Sequence, residues 1–194
     1  MYLARSFIKF KLMTAILIVL AIVLLAGLWL VSAQRKLVSA DELCKNSLSQ
    51  IGVQLNSRWD ALSALVDLTK GYNEHEYNTL RDIIAQRTAV GRNSTASEVN
   101  AQEEKISSVL RQINVVAEQY PALKASEMYS KTMEGVNQYE NQVRLSRMTY
   151  NDVVTRYNRL VRMFPDSIAA SIFGFREKDY LQEPSGKTEM PSMR

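Results

Sequence analysis

Cysteine and histidine are almost absent from this sequence, which has one of each among 194 residues. A single cysteine excludes a disulfide within the chain. A structural zinc site needs about four ligands, most of them Cys or His, and the chain does not supply them. No Gly-rich phosphate loop or Ser-His-Asp set can be assembled either. We therefore expect no metal, no cofactor and no enzymatic activity.

Glycine and proline are also scarce, with seven and four residues. Sheets need a turn at the end of nearly every strand, and these two residues form most turns. Their scarcity predicts an all-α fold of long helices and few turns.

Most of the chain has no segment in which charges of one sign predominate. The net charge is +4, and three of the basic residues, Arg5, Lys9 and Lys11, precede the long apolar run, so from Arg35 onward 21 basic residues face 20 acidic ones. Interspersed charges of both signs are typical of a solvated protein surface, whereas nucleic-acid binding needs a basic patch. We expect no nucleic-acid partner.

The one long apolar run covers residues 12–31 and follows a short basic tail at residues 1–11. Twenty helical residues rise about 30 Å, the thickness of the hydrocarbon layer of a bilayer. Trp29 lies where aromatic residues anchor a helix at the membrane interface. We predict a transmembrane anchor at residues 12–33.

A cleaved signal peptide is the alternative interpretation of this run, because residues 31–33 resemble a cleavage site. The apolar run is longer than the roughly 7 to 15 residues of a signal sequence, and Trp29 and Leu30 are bulky. The uncleaved anchor is preferred.

The first helix after the anchor is predicted from apolar residues spaced by three and four. Its stripe consists of Cys44, Leu48, Ile51, Leu55, Trp59, Leu62, Val66 and Thr69. The helix either continues from the membrane or restarts at a capping box formed by Ser39 and Glu42. A turn is predicted at Gly71, with a continuous helix as the alternative.

Two shorter helices follow. The first spans residues 76–90, with Leu80, Ile84 and Arg87 on one face, and ends at a loop over residues 91–94. The match of residues 93–95 to a glycosylation sequon is interpreted as part of that loop. A capping box of Thr95 and Glu98 opens the next helix, which Pro121 closes. Its predicted stripe is Val99, Ile106, Leu110, Ile113, Ala117 and Tyr120.

The last long helix has the same spacing and stops at Pro165. Its stripe is Tyr129, Met133, Val136, Val143, Tyr150, Val154, Tyr157, Val161 and Phe164, with polar residues Glu140 and Arg147 at two stripe positions. A short helix with Ile168, Ile172, Phe173 and Phe175 is predicted to fold back and plug one end of the fold. Residues 181–194 are predicted to be a disordered tail.

Four amphipathic helices joined by short turns bury their stripes together as an antiparallel up-and-down four-helix bundle. We predict this bundle at residues 35–180. Its first and last helices are longer than the middle two and should pair as a stalk.

Several segments are similar to the signature of the LemA family of bacterial membrane-anchored proteins. They are IGVQLNSR at 51–58, LV at 65–66, KGY at 70–72, HE at 75–76, EQYPALKA at 118–125, YN at 150–151 and 157–158, FP at 164–165, IA at 168–169 and FGF at 173–175. The resemblance covers residues 39–180. It implies a single N-terminal anchor and a helical bundle, and it implies no reaction or ligand. The chain departs from the family pattern at Trp59 and at residues 63–64.

His75 and Cys44 are the first candidates for chemistry. Glu74 and Glu76 flank His75, an arrangement that suits a proton acceptor or metal ligand. The His-Glu-x-x-His spacing of zinc proteases is absent, so a capping or turn-stabilising hydrogen bond is preferred, with plain exposure as the alternative. Cys44 lies on an apolar stripe, where a thiol behaves as a small hydrophobic group.

Two Tyr-Asn pairs, at residues 150–151 and 157–158, lie on one helix face two turns apart. The Tyr rings are predicted to be core residues, and the Asn side chains are predicted to form hydrogen bonds between helices. A ligand site is the alternative.

Two classes of function remain. The preferred one is a non-enzymatic, membrane-tethered scaffold or adaptor that binds another membrane or envelope protein. The alternative is a ligand-sensing bundle, which an apolar cavity with convergent polar groups would favour. A homo-oligomer is possible. Short N-terminal tails commonly stay inside the cell, so we expect a single-pass protein of the bacterial cytoplasmic membrane with its bundle on the outer face.

Overall fold

The computed structural model describes the backbone of residues 2–182 and the side chains of residues 11–182, and this part of the chain is helical without any strand. The predicted all-α class is confirmed. The helices are α1 (Tyr2–Asp67), α2 (Glu74–Ala85), α3 (Ala96–Gln119), α4 (Pro121–Lys124), α5 (Glu127–Arg162) and α6 (Asp166–Phe173). They form two compact units, the anchor unit (Met1–Asp41 with Tyr157–Glu177) and the main unit (Glu42–Arg156 with Lys178–Arg194).

Helix α1 is continuous from Tyr2, so it does not restart at Ser39. It ends at Asp67, and turns over residues 68–72 confirm the predicted turn at Gly71. All eight residues of its predicted stripe are buried. Apart from Leu30, the large aliphatic side chains between Leu12 and Val31 are, in contrast, 49 to 70% exposed. Within the described residues, α1 is the one helix long and apolar enough to cross a membrane.

Helix α2 ends at Ala85, so the prediction that it reaches Val90 is wrong. The backbone N–H of Thr88 donates to Oε1 of Gln102 at 3.2 Å instead of continuing the helical ladder. Val90 is buried in the loop that follows. Thr95 and Glu98 open α3 with both bonds of a capping box, which confirms that prediction.

The buried face of α3 differs slightly from its predicted stripe. Val99, Ile106, Ile113 and Ala117 are buried, whereas Leu110 and Tyr120 are only partly covered. Val109 and Val116 are buried instead, each three residues after a buried isoleucine of the stripe. Pro121 ends α3 as predicted and occupies the first position of α4, a helix that the sequence pattern did not indicate.

Helix α5 buries six of its nine predicted stripe residues: Tyr129, Val136, Val143, Tyr150, Val154 and Tyr157. The prediction for Phe164 is wrong, since this side chain is 79% exposed. The helix already ends at Arg162 ahead of Pro165, and beyond that point a spacing of three and four no longer describes one face.

Helix α6 confirms the predicted short helix, and Gly174 ends it in the left-handed conformation at φ 75°. Of the four residues predicted to plug the fold, Ile168, Ile172 and Phe173 are exposed, and only Phe175 packs against a core. The small residues of the helix are buried instead. The core of the anchor unit consists of Ala33, Leu37, Ala169 and Ala170, with Trp29, Leu30, Leu160, Val161 and Phe175 packed around them.

In the main unit, two contacts fix the relative direction of α3 and α5. The Tyr129 hydroxyl donates to Oδ1 of Asn114 at 3.4 Å, and Arg147 bonds Glu103. The later residue of α5 contacts the earlier residue of α3, so the two helices run antiparallel.

The predicted disordered tail begins at Leu181, but the structure corrects this boundary. Leu181 is 4% exposed and its backbone is hydrogen-bonded. An isolated leucine between polar residues gave no sign of packing because its contacts are with distant residues. Residues 183–194 of the predicted tail lie outside the described residues.

Candidate functional site

His75 lies exposed in the first turn of α2. Plain exposure, the alternative for His75, is therefore what the structure shows, and the capping bond of this turn belongs to Asn73, whose side chain accepts from the Glu76 N–H at 3.1 Å. The His75 backbone carbonyl accepts from the Thr79 hydroxyl at 3.0 Å.

Cys44 is fully buried on the α1 stripe, as predicted for a small hydrophobic group. It lies close enough to Tyr150 to affect that phenol electrostatically. Burial, followed by the effects of Cys44 and of Asp179, raises the pKa of Tyr150 to about 12. The Tyr150 hydroxyl therefore stays protonated and acts as a donor, bonding the Asp179 carbonyl at 3.2 Å.

Both tyrosines of the Tyr-Asn pairs are buried, which confirms their predicted core positions. In the anchor unit the Tyr157 hydroxyl donates to the Arg176 carbonyl at 2.8 Å. Both phenols thus bond backbone carbonyls of the segment that follows α6.

Asn151 does not make the predicted bond between helices. Its amide donates to the Leu181 carbonyl at 3.0 Å, and its side-chain oxygen accepts from the Leu181 N–H at 2.9 Å. One side chain therefore satisfies both backbone groups of a buried residue in an extended segment. The prediction failed because the partner lies in a region whose composition is typical of a loop.

Two ion pairs connect α5 to its neighbours in the main unit. Arg147 pairs with Glu103 of α3, and both side chains are buried. A second Arg147 nitrogen donates to Oδ1 of Asn100 at 3.3 Å. Nη2 of Arg58 on α1 donates to Oε2 of Glu140 at 3.0 Å. These charges replace apolar side chains in the interior.

The buried charges are not fully satisfied. Among the described residues, Nε of Arg58 and Oε1 of Glu103 have no hydrogen-bond partner. Burial lowers the pKa of the Arg58 guanidinium from its usual value, and the nearby Glu103 carboxylate partly opposes this effect. An unpaired polar atom in the interior is a donor or acceptor available to a bound group.

A cavity of about 370 Å³ lies against these charges. Its lining is Arg58, Glu103, Ser107, Glu140, Val143, Arg144, Arg147, Met148, Asn151 and Leu181. The volume falls in the range of small-molecule pockets, roughly 300 to 1,000 Å³. Three arginines and two glutamates give the lining a formal charge of +1, so it suits a group with a negative or mixed charge. We call this feature the charged cavity.

The sequence contained one signal for the charged cavity. Glu140 and Arg147 occupy stripe positions of α5, and the α3 stripe has a gap between Val99 and Ile106 that contains Glu103. A charge at a position that periodicity assigns to the core needs an opposite charge nearby. Pairing the stripe charges of different helices would have indicated the ion pairs, but not the cavity.

The described residues contain no group of three or more His, Cys, Asp or Glu placed to hold a metal ion.

Comparison with known families gives a match over most of the chain. The model of the LemA family matches residues 47–194. This chain belongs to the LemA family. The match includes α2 to α6 and all ten residues of the charged cavity, so the cavity is part of the family domain.

Three relatives show similarity over parts of their length. The chain is 26% identical to Protein LemA of Metamycoplasma hominis over 136 residues, which are 69% of this chain and 62% of that protein. It is 31% identical to Magnetosome protein MamQ 1 and to Magnetosome protein MamQ 2 of Paramagnetospirillum magneticum over 80 residues, 41% of this chain and 29% of each. The similarity thus spans less than two thirds of each relative.

Proposed function

We propose that this LemA-family protein is a membrane-anchored adaptor without catalytic activity, which binds an acidic segment of another envelope protein at the charged cavity. The apolar exposed part of α1 supports insertion into the cytoplasmic membrane, because most residues of its 20-residue apolar run are exposed, which is unfavourable in water. The proposal assigns the main unit the role of partner binding.

The proposal includes the antiparallel four-helix arrangement in the main unit. Arg58 contacts Glu140, which joins α1 to α5. Nη1 of Arg87 lies 2.8 Å from Oδ1 of Asp60, so the chain after α2 returns along α1. Together with the antiparallel pair α3 and α5, these contacts support an up-and-down order of α1, α2, α3 and α5.

The charged cavity is the observation on which the adaptor proposal rests. Arg144 lies exposed at its edge, and Glu140 is one helical turn away. Met148 and Leu145 add exposed apolar surface on the same helix. Arginine with neighbouring apolar side chains is a common composition of protein interfaces. A partner carboxylate can pair with Arg144 while apolar side chains cover Met148.

A ligand-sensing role is the second candidate, and the volume of the cavity favours it. In this case a small anion or zwitterion would occupy the cavity and meet the unpaired Nε of Arg58. The two candidates share a site and differ in the size of the ligand.

Affinity purification in mild detergent tests the adaptor role. The full chain, tagged at its N-terminus, would be compared with Arg144→Glu and with Arg156→Glu, a matched charge reversal at an exposed position of α5 outside the cavity lining. We expect wild type and Arg156→Glu to capture the same envelope protein, and Arg144→Glu to recover severalfold less. Equal recovery by all three chains would contradict the cavity as the docking site.

Native mass spectrometry of the same preparations distinguishes the second candidate. A bound small molecule on wild type and Arg156→Glu that is lost from Arg144→Glu would favour ligand sensing over the adaptor role.

A further inference from the structure

Helix α6 has apolar side chains on two opposite faces. Ala169 and Ala170 are buried in the core of the anchor unit, whereas Ile168 and Ile172, one turn apart on another face, are exposed. A helix face that carries two large apolar side chains is normally packed against another surface. One face of α6 therefore lacks a cover within the described part of the chain.

The exposed apolar surface extends beyond α6. Met163 and Phe164 precede the helix and are 58% and 79% exposed, and Phe173 at its end is also exposed. Residues 163–173 thus contain five exposed large apolar side chains. A single exposed hydrophobic residue is common at protein surfaces, but a group of five indicates an interaction surface. We call these five residues, Met163, Phe164, Ile168, Ile172 and Phe173, the α6 patch.

The position of α6 along α1 indicates what covers the patch. The buried face of α6 packs on Ala33 and Leu37, with Trp29 and Leu30 in the same cluster. Ala33 and Leu37 lie two and six residues beyond the apolar run, which is about 3 and 9 Å along the helix axis. The headgroup region of a bilayer is roughly 5 to 8 Å thick on each side. Helix α6 therefore lies at headgroup depth if α1 spans the membrane.

The charges around α6 agree with this location. The described side chains of the anchor unit beyond the apolar run include exposed Arg35, Lys36, Arg159 and Arg176. Arg162 is adjacent to Glu177 at 3.7 Å. Counting all charges at residues 32–41 and 157–177, five basic residues face three acidic ones, a net of +2. Basic residues beside an apolar surface are typical of helices that lie in the interface of an anionic membrane.

We propose that the α6 patch inserts into the lipid headgroup region beside α1, so that the protein contacts the bilayer through a second, interfacial helix. This inference rests on the proposed insertion of α1. The bilayer covers Phe164, Ile168 and Ile172, while the alanines of α6 fix the helix to α1.

Fluorescence quenching in vesicles tests the proposal. The full chain with Ile172→Cys would be labelled with the environment-sensitive dye NBD and reconstituted into phosphatidylcholine and phosphatidylglycerol vesicles. Cys44 is fully buried, so labelled wild type serves as the blank. Leu145→Cys is the matched control, because it is exposed on α5 in the main unit.

We expect lipids with a nitroxide near the headgroup to quench the dye at residue 172 severalfold more than aqueous iodide does, and the reverse at residue 145. Iodide quenching at residue 172 equal to that at residue 145 would overturn the proposal. Protection from both quenchers would also overturn it, since a second copy of the chain would then cover the patch. Ile168→Cys, on the same exposed face, repeats the measurement if the first variant does not fold.

A dye at Ala21→Cys, in the middle of the apolar run, tests the insertion of α1 separately. Quenching of this dye by a nitroxide deep in the acyl chains, together with iodide quenching at residue 172, would leave the anchor in place and refute the interfacial helix alone.

Discussion

Gly52 of α1 lies directly against the backbone carbonyl of Val90, in the loop between α2 and α3. A Cβ atom added to Gly52 would be 2.1 Å from the Val90 oxygen and 2.9 Å from its carbonyl carbon. Both obstructing atoms belong to the backbone, so a rotamer change cannot relieve the clash. Gly52 falls within the segment IGVQLNSR, one of those similar to the LemA signature, and this contact gives a physical reason for a glycine there.

Replacement of Gly52 by Ala should therefore destabilise the protein, although alanine is the better helix former. We expect a loss of about 1 to 3 kcal/mol, since the loop must move away from α1. Gly135→Ala in α5 is the matched control, because no atom lies within 4 Å of its added Cβ. That change should stabilise by about 0.5 to 1 kcal/mol. Denaturant unfolding of the full chain in detergent measures both, and a stable Gly52→Ala would refute the close contact.

The Trp59 side chain is almost completely buried on the α1 stripe. Trp59→Ala should cost about 3 to 5 kcal/mol, because it removes a large aromatic side chain from the core. His75→Ala, at an exposed position, should change stability by less than about 0.5 kcal/mol. Thermal unfolding monitored by circular dichroism compares the two. Unchanged stability of Trp59→Ala would mean that the stripe faces a partner instead of the core.

Removing one partner of the buried Glu103–Arg147 pair should destabilise the protein more than replacing both partners by apolar residues. Glu103→Met leaves the Arg147 guanidinium buried without its carboxylate, which should cost about 3 to 5 kcal/mol. The double variant Glu103→Met with Arg147→Met has no uncompensated charge at either position and should lose less than the sum of the single changes. A double-mutant cycle by denaturant unfolding measures this coupling. Additive effects would contradict the pairing.

Tyr150 should make the protein sensitive to alkaline pH. Its pKa is raised to about 12 in the folded chain, compared with about 10 for an unperturbed tyrosine. Between these values the folded state holds a proton that the unfolded state has released, so stability falls as pH rises through this window. Tyr150→Phe should remove this part of the pH dependence. The difference in tyrosinate absorbance between wild type and Tyr150→Phe gives the pKa, and a value near 10 would contradict the burial.

The membrane orientation is predicted from a small difference in charge. Three basic residues and the amine precede the span, while Arg35, Lys36 and Lys45 follow it closely, and a short leading tail favours an internal N-terminus. A reporter fused after Arg194 should therefore show alkaline phosphatase activity, which requires export. Fluorescence from a fused green fluorescent protein would place the main unit inside the cell.

Periodicity predicted the features that depend on neighbouring residues. The eight-residue stripe of α1, the turn at Gly71 and the capping box of Thr95 and Glu98 all follow from spacings within two or three turns. Such interactions are local, so the sequence alone contains them.

Features that depend on distant residues were not predicted. Arg58 is not part of the predicted α1 stripe, yet it is buried because Glu140, 82 residues later, supplies the opposite charge. The end of α2 depends on Gln102, and the burial of Leu181 depends on Asn151. No periodicity within a single helix records these pairings, and the charged cavity is a product of several of them.

The bonds that Tyr150, Asn151 and Tyr157 form with the segment after α6 have a consequence for how this family can vary. All three side chains bond main-chain groups of residues 176, 179 and 181. Main-chain groups are the same whatever residue occupies the position, except that proline lacks the N–H. Mutations at Arg176 and Asp179 can therefore accumulate without breaking these bonds, whereas the Tyr hydroxyls and the Asn amide have no substitute of equal length and polarity. Correlated substitution between the three α5 side chains and residues 176, 179 and 181 should accordingly be weak. A contact map inferred from covariation would therefore miss the packing of this segment on α5.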